Sequence, residues 1–212
     1  MMKIKKFTTV CLISGLPFFY GQTLEFKDKN FEKAVLENFD VNKNGVLEST
    51  EAGMVTNLFL VKKGITTTED LHLFKNVKMI VLDDNMIPNI VVNNLDQLEL
   101  FSCTQCKISS FKAENLKNLT SLYLDNNLLE SISLTGIPKI DQLTLSLNQL
   151  KTINLLQFKV LRKLNVEHNK LQQIDISGNS ALQTLNIAGN KIRKTDIKKS
   201  TKAEVTIFGA EE

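Results

Sequence analysis

What the 212-residue chain lacks narrows its chemistry first. It holds two histidines and three cysteines. It shows no glycine-rich phosphate loop, nucleophile elbow or two-histidine metal motif. His72 and His168 stand far apart, with no nucleophile, base and orienting group gathered around either. The expectation is a protein that is not an enzyme. No uninterrupted apolar run reaches the ~18 residues of a membrane-spanning helix, so no membrane span is expected.

Charge excludes further classes. The formal charge of the whole chain is +3. The opening "MMKIKK" carries three lysines, and the mostly apolar "FTTVCLISGLPFFYG" follows. A basic start, a short apolar core and small residues near its end mark a secretory signal peptide. Residues 1–21 are therefore expected to be removed, with cleavage after Gly21. Cys11, in "TTVC", matches a lipoprotein anchor poorly. The remaining chain has 23 basic and 23 acidic side chains and is neutral. Neutrality argues against nucleic acid or an anionic membrane as partner. The local basic run Lys191, Arg193, Lys194, Lys198, Lys199 and Lys202 reads as a solvated edge. A secreted or outer cell-surface location follows from the leader.

What is present is a repeat. "LRKLNVEHNKLQQIDISGNSA", from Leu161, aligns with "LQTLNIAGNKIRKTDIKKSTK", from Leu182, 21 residues later. Apolar residues recur at repeat positions 1, 4, 6 and 11, and often at 14 and 16. Stepping back by 21 reaches Ile140, Leu119, Leu98 and Val77, and a step of 22 reaches Val55. Position 9 reads Lys63, Asn85, Cys106, Asn127, Asn148, Asn169 and Asn190. Within each unit, positions 4 and 6 alternate with the period of a strand that buries one face. One unit alone leaves that face wet, so stability must come from stacking neighbours.

These residues resemble the leucine-rich repeat, L-x-x-L-x-L-x-x-N/C-x-L, with its period of ~20–29 residues. The resemblance implies a right-handed, β-rich repeat solenoid over residues 55–212, about seven repeats plus a terminal strand. Residues 22–54 are left as a small helical N-terminal cap. Asn85, Asn127, Asn148, Asn169 and Asn190 are expected to form a ladder, each amide bonding backbone groups orphaned in successive turns. A half-length echo, "LRKLNVEHN" then "LQQIDISGN", predicts extended backbone on both faces, as in the short bacterial variety of the repeat. Unit one differs: Leu71 and Phe74 in "ITTTEDLHLFKN" predict a single helical or 3₁₀ turn. The end, "AEVTIFGAEE", keeps step at Ala203 and Phe208 and is expected to add a last strand as a cap, with no sorting or anchoring domain after it.

The cap contains one further motif. Phe31, Ala34, Val35 and Leu36 predict an amphipathic helix over residues 30–38. "DVNKNGVLESTE" follows, and it resembles the EF-hand loop D-x-[DN]-x-[DN]-G-x₅-E. That resemblance implies calcium ligands at Asp40, Asn42, Asn44, the Val46 carbonyl, Glu48 and Glu51, with Gly45 at the bend. With three carboxylates, Lys43 adjacent and no second loop to pair with, a site in the ~10⁻⁴–10⁻³ M range is expected. Its role would be to rigidify the cap. The competing reading is a polar turn whose Asp and Asn cap helix ends without metal.

Cys103 and Cys106 form a C-x-x-C, but the register puts them at core positions 6 and 9. They read as inward residues, and a disulfide between them is the secondary reading. Outward strand positions 3, 5 and 7 would line a partner face. Phe59, Met79, Val81, Leu100 and Tyr123 give it an apolar patch, rimmed by Asp83, Asp125 and Glu167. The function expected is a monomeric binding or adhesion module whose partner is a protein or surface ligand of unknown identity. A purely structural envelope component without a specific ligand is the alternative.

Overall fold

Every 21 or 22 residues the chain lays down one three-residue strand beside the previous one. The strands Asn57–Phe59, Met79–Val81, Leu100–Ser102, Ser121–Tyr123, Gln142–Thr144, Lys163–Asn165, Thr184–Asn186 and Thr206–Phe208 form one sheet of eight. All neighbours run parallel, with Met79 opposite Leu100, Leu100 opposite Ser121 and Ser121 opposite Gln142. This computed structural model describes residues 21–200 and 204–211. The expected signal segment thus lies, apart from Gly21, outside the described residues.

The register is the one the apolar pattern dictates. The central residue of each strand points inward: Leu58, Ile80, Phe101, Leu122, Leu143, Leu164 and Leu185 are all buried. Position 6 follows with Leu60, Leu82, Cys103, Leu124, Leu145, Val166 and Ile187, each fully enclosed. A buried side chain of this size contributes about 1.5–3 kcal/mol, so the stacked columns supply most of the cohesion. The whole forms a β-solenoid of the leucine-rich-repeat type.

The expected second extended face is present in part. Asn89–Asn93, Ser110–Glu114 and Ser133–Thr135 form a three-stranded rear sheet, and Ile174–Asp175 pairs with Ile197–Lys198. Between them the rear turns instead, where the Asn154 side chain accepts from the Leu156 N–H at 3.1 Å. That local bond competes with a ladder, as asparagine does in turns. The first unit carries its expected single turn, a 3₁₀ helix over Glu69–Leu73.

The last strand corrects one expectation. Thr206 pairs with Thr184, an offset of 22, so Ile207 takes the inward position and Phe208 the outward one. A one-residue slip exchanges the faces of a strand. Phe208 is consequently 53% exposed instead of sitting in the core period. Ala203 lies outside the described residues.

Ahead of the solenoid, the helix Lys29–Phe39 buries Phe31, Ala34 and Val35. Phe31 packs between Phe26 and Phe74, with ring centroids 6.0 and 5.8 Å away, which ties the helix to the first repeat. A second, six-residue helix, Ser49–Met54, leads into the first strand.

Candidate functional site

The ladder asparagines are structural and fix the frame on which the outward residues stand. Asn127 is typical. Its Oδ1 accepts from the Cys106 and Ile108 N–H groups at 3.0 Å each, and its Nδ2 donates to the Cys103 and Leu124 carbonyls at 2.9 and 3.0 Å. Asn85, Asn148, Asn169 and Asn190 repeat this pattern and are all buried. The residue before each, including Asn126, Leu147 and His168, has a positive φ between 51° and 68°. This turn aims the following amide into the core. Gly189 serves the same turn in the last unit with φ 68°, and a Cβ there would meet the His168 ring.

Cys106 takes the ladder position in its unit and is bonded to Cys103, both buried. The secondary reading of the sequence therefore holds alongside the core placement. Bonded sulfur has no hydrogen and stands where an Asn amide would donate. The Ile87 N–H, which an asparagine Oδ1 here would accept from, donates instead to the Cys106 carbonyl at 2.9 Å.

The outward columns meet as the register predicts, with one revision. Phe59 and Val81 face each other across neighbouring strands, as do Met79 and Leu100. Phe59 is 57% exposed, whereas Met79, Val81, Leu100 and Tyr123 are half-buried. Strands ~4.8 Å apart shade one another's side chains. Ser102, between Val81 and Tyr123 in the same column, is buried and divides the patch. Tyr123 donates its hydroxyl to Gln142 at 3.3 Å.

Beside this patch runs a column of carboxylates at every second repeat. Asp83 accepts from the Ser102 hydroxyl at 2.7 Å and the Thr104 N–H at 2.8 Å. Asp125 accepts from the Thr144 hydroxyl, the Ser146 N–H and the Ser146 hydroxyl. Glu167 accepts from the Asn186 amide at 3.0 Å and has His168 at 3.4 Å. Two strand spacings place successive members about 10 Å apart. Among the described residues, no lysine or arginine forms an ion pair with any of the three.

The cap loop folds around its own polar groups. Asp40 accepts from the Asn44 and Gly45 N–H groups at 3.2 and 2.9 Å. Glu48 receives the Asn42 and Asn44 amides at 3.2 and 2.5 Å. Glu51 reaches back across the loop to the Val41 N–H at 2.8 Å, and its other oxygen accepts from the Glu48 N–H at 3.1 Å. The latter bond belongs to a capping box that Glu48 and Glu51 form on the second helix. Burial works against the charge of Glu51, yet these hydrogen bonds hold its carboxyl below the ordinary range. Val46 is exposed at the edge of the loop. Among the described residues, no three carboxylate, thiol or imidazole groups gather tightly enough to hold a metal by themselves. Amide and backbone oxygens of Asn42, Asn44 and Val46 would have to complete any cation site.

His72 and His168 are both exposed, and they sit in different repeats. Three features escaped the sequence pattern. Asp28 and Asp70, both buried, lash the cap to the first repeat through backbone N–H groups. Asn179, also buried, donates to the Leu155 and Phe158 carbonyls at 2.9 and 2.8 Å on the rear side. The earlier units place Leu95, Leu116, Ile137 and Phe158 at that position, so only the departure from an apolar column could have flagged it.

No protein-family model matches the chain, and no curated protein matches it by sequence. Solved structures do. The functional domain of InlJ from Listeria monocytogenes, which includes a cysteine ladder, superposes with a TM-score of 0.65 at 20% identity, over 88% of this chain and 49% of that one. Internalin C2 from Listeria monocytogenes superposes with a TM-score of 0.55 at 19% identity, over 86% of this chain and 94% of that one. The chain thus spans about half the length of the InlJ structure. At these identities the likeness carries the fold, an internalin-like leucine-rich-repeat solenoid.

Proposed function

We propose that the chain is a binding or adhesion module acting outside the cell or at its outer surface, and that its eight-stranded sheet holds a protein partner. One observation carries the reading. Asp83 and Asp125 stand without a cation beside the apolar surface of Phe59, Met79, Val81 and Leu100. A half-exposed apolar surface with an unneutralised acidic rim matches a partner face bearing basic and apolar side chains. Among the described residues the sheet gathers no nucleophile with a base, which suits recognition better than catalysis.

A pull-down with the mature protein tests this. Phe59→Ala with Tyr123→Ala is expected to abolish capture of the partner. Asp83→Asn with Asp125→Asn keeps the acceptors for Ser102 and Thr104 and should slow association by about tenfold at low salt. A captured protein that both variants bind as well as wild type would refute the assignment. Absence of any captured protein would favour an envelope component without a specific ligand.

The same reading includes calcium in the cap loop as a structural ion. Asp40, Asn42, Asn44, the Val46 carbonyl, Glu48 and Glu51 supply oxygen only, the donor type a hard cation takes. Half-turns of the two amides would present oxygen where nitrogen now meets Glu48. The ion would supply positive charge to carboxylates that now share backbone N–H groups. With a dissociation constant of ~0.1–1 mM, 10 mM calcium would stabilise the cap by about 1.4–2.7 kcal/mol. Calcium is therefore expected to raise the melting temperature by a few degrees, and Glu51→Gln to remove the shift. A melt indifferent to chelator and calcium alike would rule the ion out.

A further inference from the structure

The chain beyond residue 21 is neutral, but its charges are segregated along the solenoid. Residues 22–148 hold 12 basic against 17 acidic side chains, a net of −5, and residues 149–212 hold 11 against 6, a net of +5. Neutrality argued against an anionic ligand for the chain as a whole. It does not argue against one for its C-terminal half.

Within that half lies a groove of about 740 Å³ lined by Lys151, Lys170, Lys191 and Arg193. The repeat places these cations. Lys170 and Lys191 each follow a ladder asparagine and sit one turn apart, with their N–H groups donating to the Leu150 and Leu171 carbonyls at 2.9 Å. Lys151, Gln172 and Arg193 occupy the position two residues further on in three successive turns. Strand stacking sets the pitch, so cations recur at backbone spacings of about 5 and 10 Å along the axis.

Existing partners leave the cations available. Lys151 meets Glu130 at 2.7 Å between two exposed groups, and Arg193 meets the half-buried Asp196 at 2.9 Å. An exposed pair such as Lys151–Glu130 contributes little and exchanges readily. Lys170 donates to the Gln149 amide oxygen and meets no carboxylate among the described residues. Lys191 has no ion pair among the described residues. Glu211 and Asp196 are the only carboxylates among the described residues that line it.

We propose that this groove binds an acidic polysaccharide laid along the solenoid axis. Cations at a fixed pitch suit a ligand whose anionic groups recur along a chain. Gln172, Gln173 and Thr152 stand among them and supply neutral donors and acceptors for hydroxyl groups. No aromatic side chain lines the groove, so nucleobases would have no stacking platform. The site lies outside the outward columns of the eight-stranded sheet and does not depend on the protein partner proposed there.

The test uses the mature chain and four probes: heparin for sulfate groups, polygalacturonate for carboxylates, neutral dextran, and duplex DNA. Isothermal titration is expected to show binding of at least one acidic polysaccharide, weakening steeply with salt. K151Q/K170Q/K191Q/R193Q should lose about tenfold or more in affinity, as four exposed charge contacts imply. K29Q/K62Q/K75Q/K78Q removes four lysines from the acidic half and should change it by less than about twofold. Should the first variant fold poorly, E130Q/E211Q provides the opposite test, with affinity rising about threefold. Equal losses in both quadruple variants would overturn the proposal. So would binding of dextran as tight as that of the charged chains, tighter binding of DNA, or no binding to either acidic polysaccharide.

Discussion

Asn148→Leu is expected to lower the free energy of unfolding by about 3–5 kcal/mol, although the two side chains are similar in size. Asn148 accepts from the Leu129 N–H at 3.0 Å and donates to the Leu124 and Leu145 carbonyls at 2.9 and 3.1 Å. Leucine leaves the Leu129 N–H without this acceptor and takes one of two amide donors from each carbonyl, which keep Asn127 and Asn169. These groups lie in the interior of a stack whose adjacent positions, Leu129, Leu145 and Leu150, are fully buried. A buried N–H left without a partner costs about 1–3 kcal/mol and each lost bond to a carbonyl about 0.5–1.5 kcal/mol, and partial relaxation reduces the sum. Gln183→Leu, on an exposed position, should stay within about 0.5 kcal/mol of wild type. Urea unfolding followed by circular dichroism reads both. In a one-dimensional stack a central break also weakens coupling between the two flanking blocks. The Asn148→Leu transition is therefore expected to broaden as well as shift. A variant within about 1 kcal/mol of wild type would mean that the ladder does not carry the stability assigned to it.

The same logic explains why so much of the fold was legible. A 21-residue period forces equivalent residues into equivalent places, so reading one unit reads all of them. Leu122 and Leu143 are buried for the reason that Leu164 is, and Asn127 bonds as Asn169 does. Departures from the period were harder. The offset of 22 between Thr184 and Thr206 turned Phe208 outward, and nothing in the local apolar pattern distinguishes 21 from 22 at a single step. The partner face was legible by column but not by exposure. Whether Val81 or Leu100 is open depends on how closely neighbouring strands shade them, which spacing within one chain segment does not reveal. The cap loop read as a calcium motif because its residue types match one, while the capping box at Glu51 uses the same carboxylate for helix start. Ligand and cap are the same chemistry at that position, and the two readings separate only when calcium is added.

The attachment of the cap was invisible for a different reason: it is made by residues outside the repeat, whose partners lie 38 to 43 positions away. Asp28 caps the first helix, with one oxygen accepting from the Asn30 and Phe31 N–H groups at 2.8 and 3.1 Å. Its other oxygen accepts from the Thr66 N–H and hydroxyl at 2.6 and 2.9 Å, and from the Thr67 N–H at 3.2 Å. Asp70 returns the tie by accepting from the Lys27 and Asp28 N–H groups at 2.9 Å each. Asp28→Ala removes both a helix cap and a charged latch, and is expected to destabilise by about 3–4 kcal/mol. Asp28→Asn keeps one acceptor oxygen and should cost about half of that. The pair also predicts a pH dependence. Burial pushes the Asp28 carboxyl upward, but the N–H groups of Thr66, Phe31 and Asn30 outweigh it and hold the group below its ordinary value. A folded-state value below the unfolded one means the stabilisation is complete above the unfolded value, near 3.9 by the usual scale of about that figure for aspartate. It is lost as pH falls through the lower folded value, because the unfolded chain takes up the proton first. Wild type should therefore lose stability as the pH falls below about 4, and Asp28→Asn should lose visibly less. Denaturant unfolding at pH 6, 4 and 2.5 measures the difference. Parallel acid losses in the two proteins would show that the latch is not where the cap's acid sensitivity resides.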